Sequence, residues 1–340
     1  MTQPSAHGAI KVYRGDYVES THAIHAAVVD RNGQLLYKYG DPERLTFARS
    51  SMKPFQAVPL IETGAAAHFG FTANDLALAC ASHNGEDFHR SGVHTMLERV
   101  GIGEDALQCG AHVPRDRKGY EKHILGGGDL TPVFSNCSGK HSGMLATAVY
   151  MKEDVDTYRE MDHPVQQRIL QVIAEVCDYP AEQIATSVDG CGVPVHRLPL
   201  ANAAYGYARL AEPEGTKHAA ALRKVREAMT AHPELVGGTR RFDTDVMKAY
   251  GGKVVAKVGA EGVQGIGIVG EGLGVLVKVE DGNERATKAA AMAVLKQLGV
   301  GSAETFAELE AYVEPPVYNV RKEKIGKIVA DFTLERVQSS

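Results

Sequence analysis

The chain has 340 residues, 44% of them hydrophobic and 23% charged, with a net charge of −5, enough chain for one large core or two smaller ones. The absence of a basic stripe argues against nucleic acid and anionic membrane as partners, and the longest apolar runs fall short of a membrane span. Residues 1–9 are polar and lack the charged-then-apolar build of a signal peptide, which predicts a cytoplasmic protein. Five scattered cysteines with no close pair predict thiols rather than a disulfide framework.

In chain order, residues 22–30 are apolar and β-prone, Asp30-Arg31-Asn32-Gly33 supplies a turn, and 34–39 return as a second strand, since an Asn-Gly between two such runs marks a hairpin. Residues 54–67 read as one helix with Ala57, Leu60 and Ile61 on a face. Asn74-Asp75 caps a short apolar helix to Ala81, and 87–100 form another that ends at Gly101. Between about 104 and 250 the chain mixes helices and loops; 164–176 and 218–231 are the clearest helices, and 126–129 are a loop. Three strands parted by glycines follow at 253–258, 262–269 and 273–280. An Ala-rich helix spans 284–299, and a last strand is expected at 327–334. No repeat or linker divides the chain, so 1–340 reads as one catalytic domain. Its class is α+β: a mainly antiparallel sheet from about 8–50 and 250–340, with a helical subdomain over about 51–249. The active site is expected at the seam between the two.

Several segments carry chemistry. In Arg49-Ser50-Ser51-Met52-Lys53-Pro54, Pro54 suits a first helical turn, and residues 50 and 53 then share a helical face. A serine hydroxyl needs a base to become a nucleophile; a lysine can serve, and a helix N-terminus offers N–H groups to an oxyanion. By itself Ser-x-x-Lys is more often a cap followed by a solvated lysine. Ala81-Ser82-His83-Asn84-Gly85-Glu86 offers a second hydroxyl and an amide, or simply a turn. Lys257-Val258-Gly259 reads as a strand lysine able to meet a substrate carboxylate, or as an exposed one before a turn.

The order Ser-x-x-Lys, Ser-x-Asn, Lys-x-Gly is that of serine β-lactamases and penicillin-binding proteins, although here the first two motifs stand closer together. Two further segments, residues 135–141 and 187–194, are dense in reactive side chains, with glycines that permit tight turns. They place Cys137 and Cys191 in loops, where the thiols either line a pocket or bind zinc with His141 or Lys140. Cys80 and Cys177 read as core. His22, His25, His94, His112 and His163 read as packing or surface residues. No Gly-x-Ser-x-Gly elbow supports a Ser-His-Asp triad.

Taken together, the segments at 49–54, 81–86, 136–141 and 188–194, with Gly237-Gly238-Thr239-Arg240-Arg241-Phe242-Asp243 and the Lys257 segment, resemble the Rhizobium etli-type L-asparaginases, from about Val18 to the C-terminal strands. The resemblance implies a fold similar to serine β-lactamases and glutaminases, and hydrolysis of L-asparagine to L-aspartate and ammonia by a homodimer. It matches Ser50 and Lys53 to the catalytic pair and Ser82 to a second catalytic serine. Cys137, Lys140 and Cys191 match a cluster that can hold zinc, Asp189 lies near it, and no organic cofactor is implied. Arg49, His83, Asn84, Glu86, Asp189, Gly190 and Lys257 are the expected substrate-binding residues. Competing readings are a glutaminase or broader amidase on the same scaffold, a β-lactamase or peptidase, and a zinc-stapled ligand-binding protein without catalysis.

Overall fold

The structure is a computed structural model that describes residues 8–338; most of the 1–9 segment read for a signal peptide lies outside the described residues. These residues form two compact units. The first takes the chain up to Ser51, then Leu198–Glu212, then Asp245 onward. The second takes Met52–Arg197 and Pro213–Thr244. Every strand pairing described below is antiparallel, and with the helices around the strands the class is α+β.

The first unit is built on a six-stranded sheet in the order Glu335–Arg336, Leu35–Tyr39, Ile24–Asp30, Leu273–Val279, Val263–Ile268, Val254–Gly259. Its first hairpin turns where the sequence predicts. The Asp30 carboxylate accepts from the N–H groups of Asn32 and Gln34, each at 2.9 Å, and Gly33 takes a positive φ of 85° that a side chain would resist. Strands 263–268 and 273–279 are buried almost throughout. Gly265, Gly267 and Gly274 point to one face, on which helix Leu200–Ala211 lies. A Cβ on Gly274 would stand 1.9 Å from the Ala204 carbonyl oxygen, and one on Gly265 would meet the Tyr207 ring at 2.1 Å. The glycines thus let a helix backbone settle directly on the sheet. This helix fell within the span read as the helical subdomain, yet it packs on the strands of the first unit. The alternate residues Val275, Val277 and Ile266 point the other way, which leaves that face for helix Glu284–Gln297.

A second sheet of this unit has the order Pro316–Tyr318, Lys324–Ala330, Ile10–Arg14, Tyr17–His22. Its strand Lys324–Ala330 begins three residues before the one read from sequence at 327–334. Pairing sets that register: Ile10 faces Ala330 and Arg14 faces Gly326, whose missing side chain admits the Tyr13 carbonyl.

The second unit is mostly helical. The helix expected over 54–67 is three short ones, Lys53–Gln56, Val58–Glu62 and Ala65–His68. Pro59 cannot donate into the helix before it, and Gly64 at φ 90° interrupts again. Helix Ala73–Ala79 is capped by Thr72, whose N–H and hydroxyl both donate to Asp75; Asp75 therefore serves from the third helical position rather than as the cap. Helices Asp87–Val100, Pro164–Cys177 and Ala219–Ala231 follow the apolar periodicity. A hairpin of Ala185–Val188 and Pro194–Pro199 pairs from Ala185–Arg197 to Val188–Pro194. No described helix is long and apolar enough to cross a membrane.

Candidate active site

Of the expected site residues, Arg49, Ser50 and Lys257 belong to the first unit, and Lys53, Ser82, His83, Asn84, Glu86, Cys137, Lys140, Asp189, Gly190 and Cys191 to the second.

In the first unit Ser50 sits in a 3-10 turn, Arg49–Met52, that runs directly into helix Lys53–Gln56. The turn is entered through Arg49 at φ 53°, a left-handed conformation that costs an arginine energy and that structure elsewhere must hold in place. Its neighbours do so. Ser51 is fully buried, its N–H and Oγ both donate to the Ala48 carbonyl, at 3.2 and 2.6 Å, and the Tyr207 phenol donates to the Ser51 carbonyl at 2.5 Å. Gly259 closes the brace: a Cβ there would lie 2.6 Å from the Ala48 oxygen. Ser50, flanked by this immobilised backbone, remains partly exposed. Lys257 lies on strand Val254–Gly259 and is fully buried, not the exposed strand lysine of the bland reading; its Nζ donates to the Val258 carbonyl at 2.9 Å.

In the second unit Lys53 is fully buried. Its Nζ contacts the Ala81 carbonyl, the Ser82 hydroxyl at 3.0 Å, the Asn136 carbonyl at 3.5 Å and the Cys137 sulfur at 3.2 Å. None of these partners is a carboxylate. Ser82 follows helix Ala73–Ala79 and is held by its own N–H on the Val236 carbonyl at 2.9 Å.

His83 was expected to bind substrate, but both its ring nitrogens are used inside the protein. Nδ1 accepts from the Gly85 N–H at 3.1 Å, so Nε2 carries the proton and donates to Ser138 Oγ at 2.9 Å. Burial first, then the neighbouring His89 and Lys53, hold its pKa well below the usual histidine value. It orients the segment and has no ring nitrogen left for a ligand. Asn84 and Glu86 are tied to residues 239–241: Asn84 Nδ2 donates to the Thr239 carbonyl at 3.0 Å, and Glu86 accepts from the Thr239 N–H at 2.9 Å.

The three residues matched to a metal cluster come together. Cys137 caps helix Ser138–Met151, so it and Lys140 share a face. This corrects the loop expected around 135–141. Gly139 is there for close packing rather than a turn, because a Cβ would stand 2.3 Å from the Leu78 carbonyl oxygen. Cys191 lies in the hairpin loop after Asp189, where Gly192 takes φ 87°. Lys140 Nζ is 3.0 Å from Cys191 Sγ. A hydrogen bond from the Cys137 thiol, with the Lys140 charge beside it, lowers the Cys191 pKa to about 4 against the pull of burial. The same bond and burial push Cys137 up to about 12. Burial drives Lys140 down, but the two sulfurs and Asp189 outweigh it and hold the ammonium above its ordinary value. Asp189 Oδ1 meanwhile accepts from the Gly190 N–H at 2.7 Å. The two sulfurs are donors that zinc accepts, whereas the Lys140 amine would have to lose its proton before it could coordinate. The described residues offer no group of three His, Cys, Asp or Glu that could hold a metal ion.

Sequence reasoning assigned no role to Tyr207 or Arg241. Tyr207 had no local signal, since its partner Ser51 is 156 residues away. Arg241 lies in the 237–243 segment noted above, a clue that was visible but unexplained.

No disulfide joins any of the five cysteines. A provisionally assigned beta-lactamase from Bacteroides dorei DSM 17855 superposes with a TM-score of 0.42 at 12% identity, over 81% of this chain and 94% of that one. Mglu in its glutamate form gives 0.37 at 16% identity over 81% of this chain. The chain spans 60% of the length of that Mglu structure. No curated protein sequence matches. The family model described as L-asparaginase II, however, matches residues 10–330, nearly the whole chain, and the protein therefore belongs to the L-asparaginase II family, a family of amidohydrolases.

Proposed function

We propose that this protein hydrolyses L-asparagine to L-aspartate and ammonia through an ester formed on Ser50. The observation that carries the reading is the contrast between neighbouring serines. Ser51 Oγ is buried and spent on the Ala48 carbonyl, whereas Ser50 is partly exposed and stands three residues before a buried lysine in one continuous helical segment.

Lys53, as the general base, takes the Ser50 proton as Oγ attacks the side-chain amide carbon of asparagine. The Ser50 N–H, near the start of the helical segment, stabilises the oxyanion. Ser82, 3.0 Å from Lys53 Nζ, passes the proton to the departing nitrogen as the C–N bond breaks and ammonia leaves. Water attacks the β-aspartyl ester by the reverse route, and the proton returns to Ser50. Arg49 or Lys257 meets the α-carboxylate, and Asp189 or Glu86 the α-ammonium. Cys137, Lys140 and Cys191 would hold a zinc ion, which supplies fixed positive charge near the substrate; no step above depends on it.

Ammonia release from asparagine and from glutamine, measured beside Ser50→Ala, tests this. Release from asparagine that disappears in the variant supports substrate and nucleophile together. Release mainly from glutamine moves the substrate and leaves the chemistry standing. Release from neither amide, with unfolding on chelation, replaces the reading with a zinc-stapled binding protein.

A further inference from the structure

The 237–241 segment, which the scheme above does not use, is bonded to the Ser82 segment along its length. Ser82 donates its N–H to the Val236 carbonyl at 2.9 Å. On its other side, one guanidinium nitrogen of Arg241 donates both to the Ser82 carbonyl at 3.2 Å and to Asn84 Oδ1 at 3.0 Å. Asn84 Nδ2 in turn holds the Thr239 carbonyl at 3.0 Å, and the Thr239 N–H closes onto Glu86 at 2.9 Å. The loop can lie this close only because position 238 is glycine. Its φ is 109°, and a Cβ there would stand 2.5 Å from Glu86 Oε2 and 2.6 Å from Asn84 Nδ2. Arg240 is left-handed at φ 59° and exposed, whereas Arg241 is half-buried. Two unusual backbone conformations in three residues turn the second arginine inward, and such strain persists only where surrounding contacts over-determine it.

We propose that Arg241 is the positioning residue for Ser82: it fixes the Ser82 carbonyl, and with it the direction of Oγ toward Lys53. The inference rests on the role given to Ser82 above. A hydroxyl that relays a proton must be aimed to a fraction of an ångström, and a misplacement of about 1 Å costs on the order of a hundredfold in rate. Arg241 touches two acceptors of the Ser82–Asn84 segment, so its removal takes a donor from the Ser82 carbonyl and from Asn84 while leaving the hydroxyl chemically intact.

The test is a double-mutant cycle on the full-length protein with Arg241→Ala, Ser82→Ala and both together, read as kcat and KM for asparagine, with Arg241→Lys as the conservative variant. The expected result is a fall in kcat of about tenfold to a hundredfold in Arg241→Ala with KM changed by less than about threefold. Arg241→Lys, which keeps a donor but not the forked geometry, recovers part of the rate. In the Ser82→Ala background the arginine change adds nothing, because the group it aims is already gone. Multiplicative losses in the double variant overturn the proposal, as does a normal kcat in Arg241→Ala. Should Arg241→Ala fail to fold, Thr239→Pro, which deletes the N–H held by Glu86, loosens the same segment and must give the same kcat-specific loss; an unchanged kcat there overturns the proposal too. An unimpaired Ser82→Ala sinks the role of Ser82 itself, a failure distinct from an active Arg241→Ala beside an inactive Ser82→Ala.

Discussion

Lys53 Nζ stands 3.0 Å from the Ser82 hydroxyl, and each partner has its backbone fixed independently of that contact. Ser82 is pinned through its N–H to Val236, and the Lys53 carbonyl accepts from Ala57 at 3.1 Å in the opening helical turn. A lysine and a serine held at hydrogen-bond distance by separate scaffolds have the fixed geometry that the proposed proton transfer requires. Lys53→Met keeps most of the buried volume and removes the nitrogen. We expect kcat to fall by about 10²- to 10⁴-fold with an unchanged far-ultraviolet dichroism spectrum. Activity within a few-fold of wild type would show that Lys53 does not handle the proton.

Tyr207 ties helix Leu200–Ala211 to the turn that carries Ser50. Its phenol donates to the Ser51 carbonyl, and its ring lies where side chains at Gly265 would be. Tyr207→Phe keeps the ring and leaves a buried carbonyl short of a donor, so stability in urea should drop by about 1 kcal/mol and asparagine turnover should slow. A variant as stable and as active as wild type would mean that the turn is held by its other contacts alone.

The proposed zinc site at Cys137, Lys140 and Cys191 is tested by proton release. The Cys137 hydrogen bond and the Lys140 charge favour the Cys191 thiolate, whereas burial and the same bond favour the Cys137 thiol, and the two sulfurs favour the Lys140 ammonium. Both protonated ligands must lose a proton on coordination. Titrating zinc into weakly buffered, chelator-treated protein with a pH indicator should therefore release two protons per ion bound. One proton per ion would contradict the three-ligand set.

His89 sets an acid limit on stability. Its ring is fully buried; Nδ1 accepts from the Glu86 N–H and Nε2 donates to the Glu234 carbonyl. A proton on Nδ1 would face a donor. Burial lowers its pKa from 6.5 to about 4. A depressed histidine pKa means that the unfolded chain takes the proton first. Its contribution is thus whole above pH 6.5 and lost as pH falls from 6.5 to 4, by on the order of 3 kcal/mol. Denaturant titrations across that window should show His89→Gln with a shallower slope by one proton. Equal slopes would mean that His89 does not titrate on unfolding.

Local signals read well and long-range ones did not. The Asp30–Gly33 turn, helix Asp87–Val100 with its glycine stop, and the glycine-parted strands all appear in the structure, because each is written in neighbouring residues. The broken 54–67 helix was legible in Pro59 and Gly64 but was outweighed by the apolar periodicity around them. Helix Leu200–Ala211 escaped assignment to the sheet because its seat is made by glycines more than fifty residues later. Within the site, residue types pointed to Lys53, Ser82, Cys137, Lys140 and Cys191, which the structure brings into contact. They also pointed to His83, whose internal role depends on Ser138, 55 residues away. Composition reveals which side chains can do chemistry; only the fold reveals which of them are already occupied.

The proposed reaction passes through a covalent intermediate on Ser50. The direct measurement is acid quenching of the enzyme during turnover of asparagine, followed by peptide mass spectrometry. The expected product is an aspartyl group esterified to the peptide carrying Ser50, sensitive to hydroxylamine and missing from Ser50→Ala. An aspartyl group on the Ser82 peptide instead, or rapid turnover by Ser50→Ala, would contradict it.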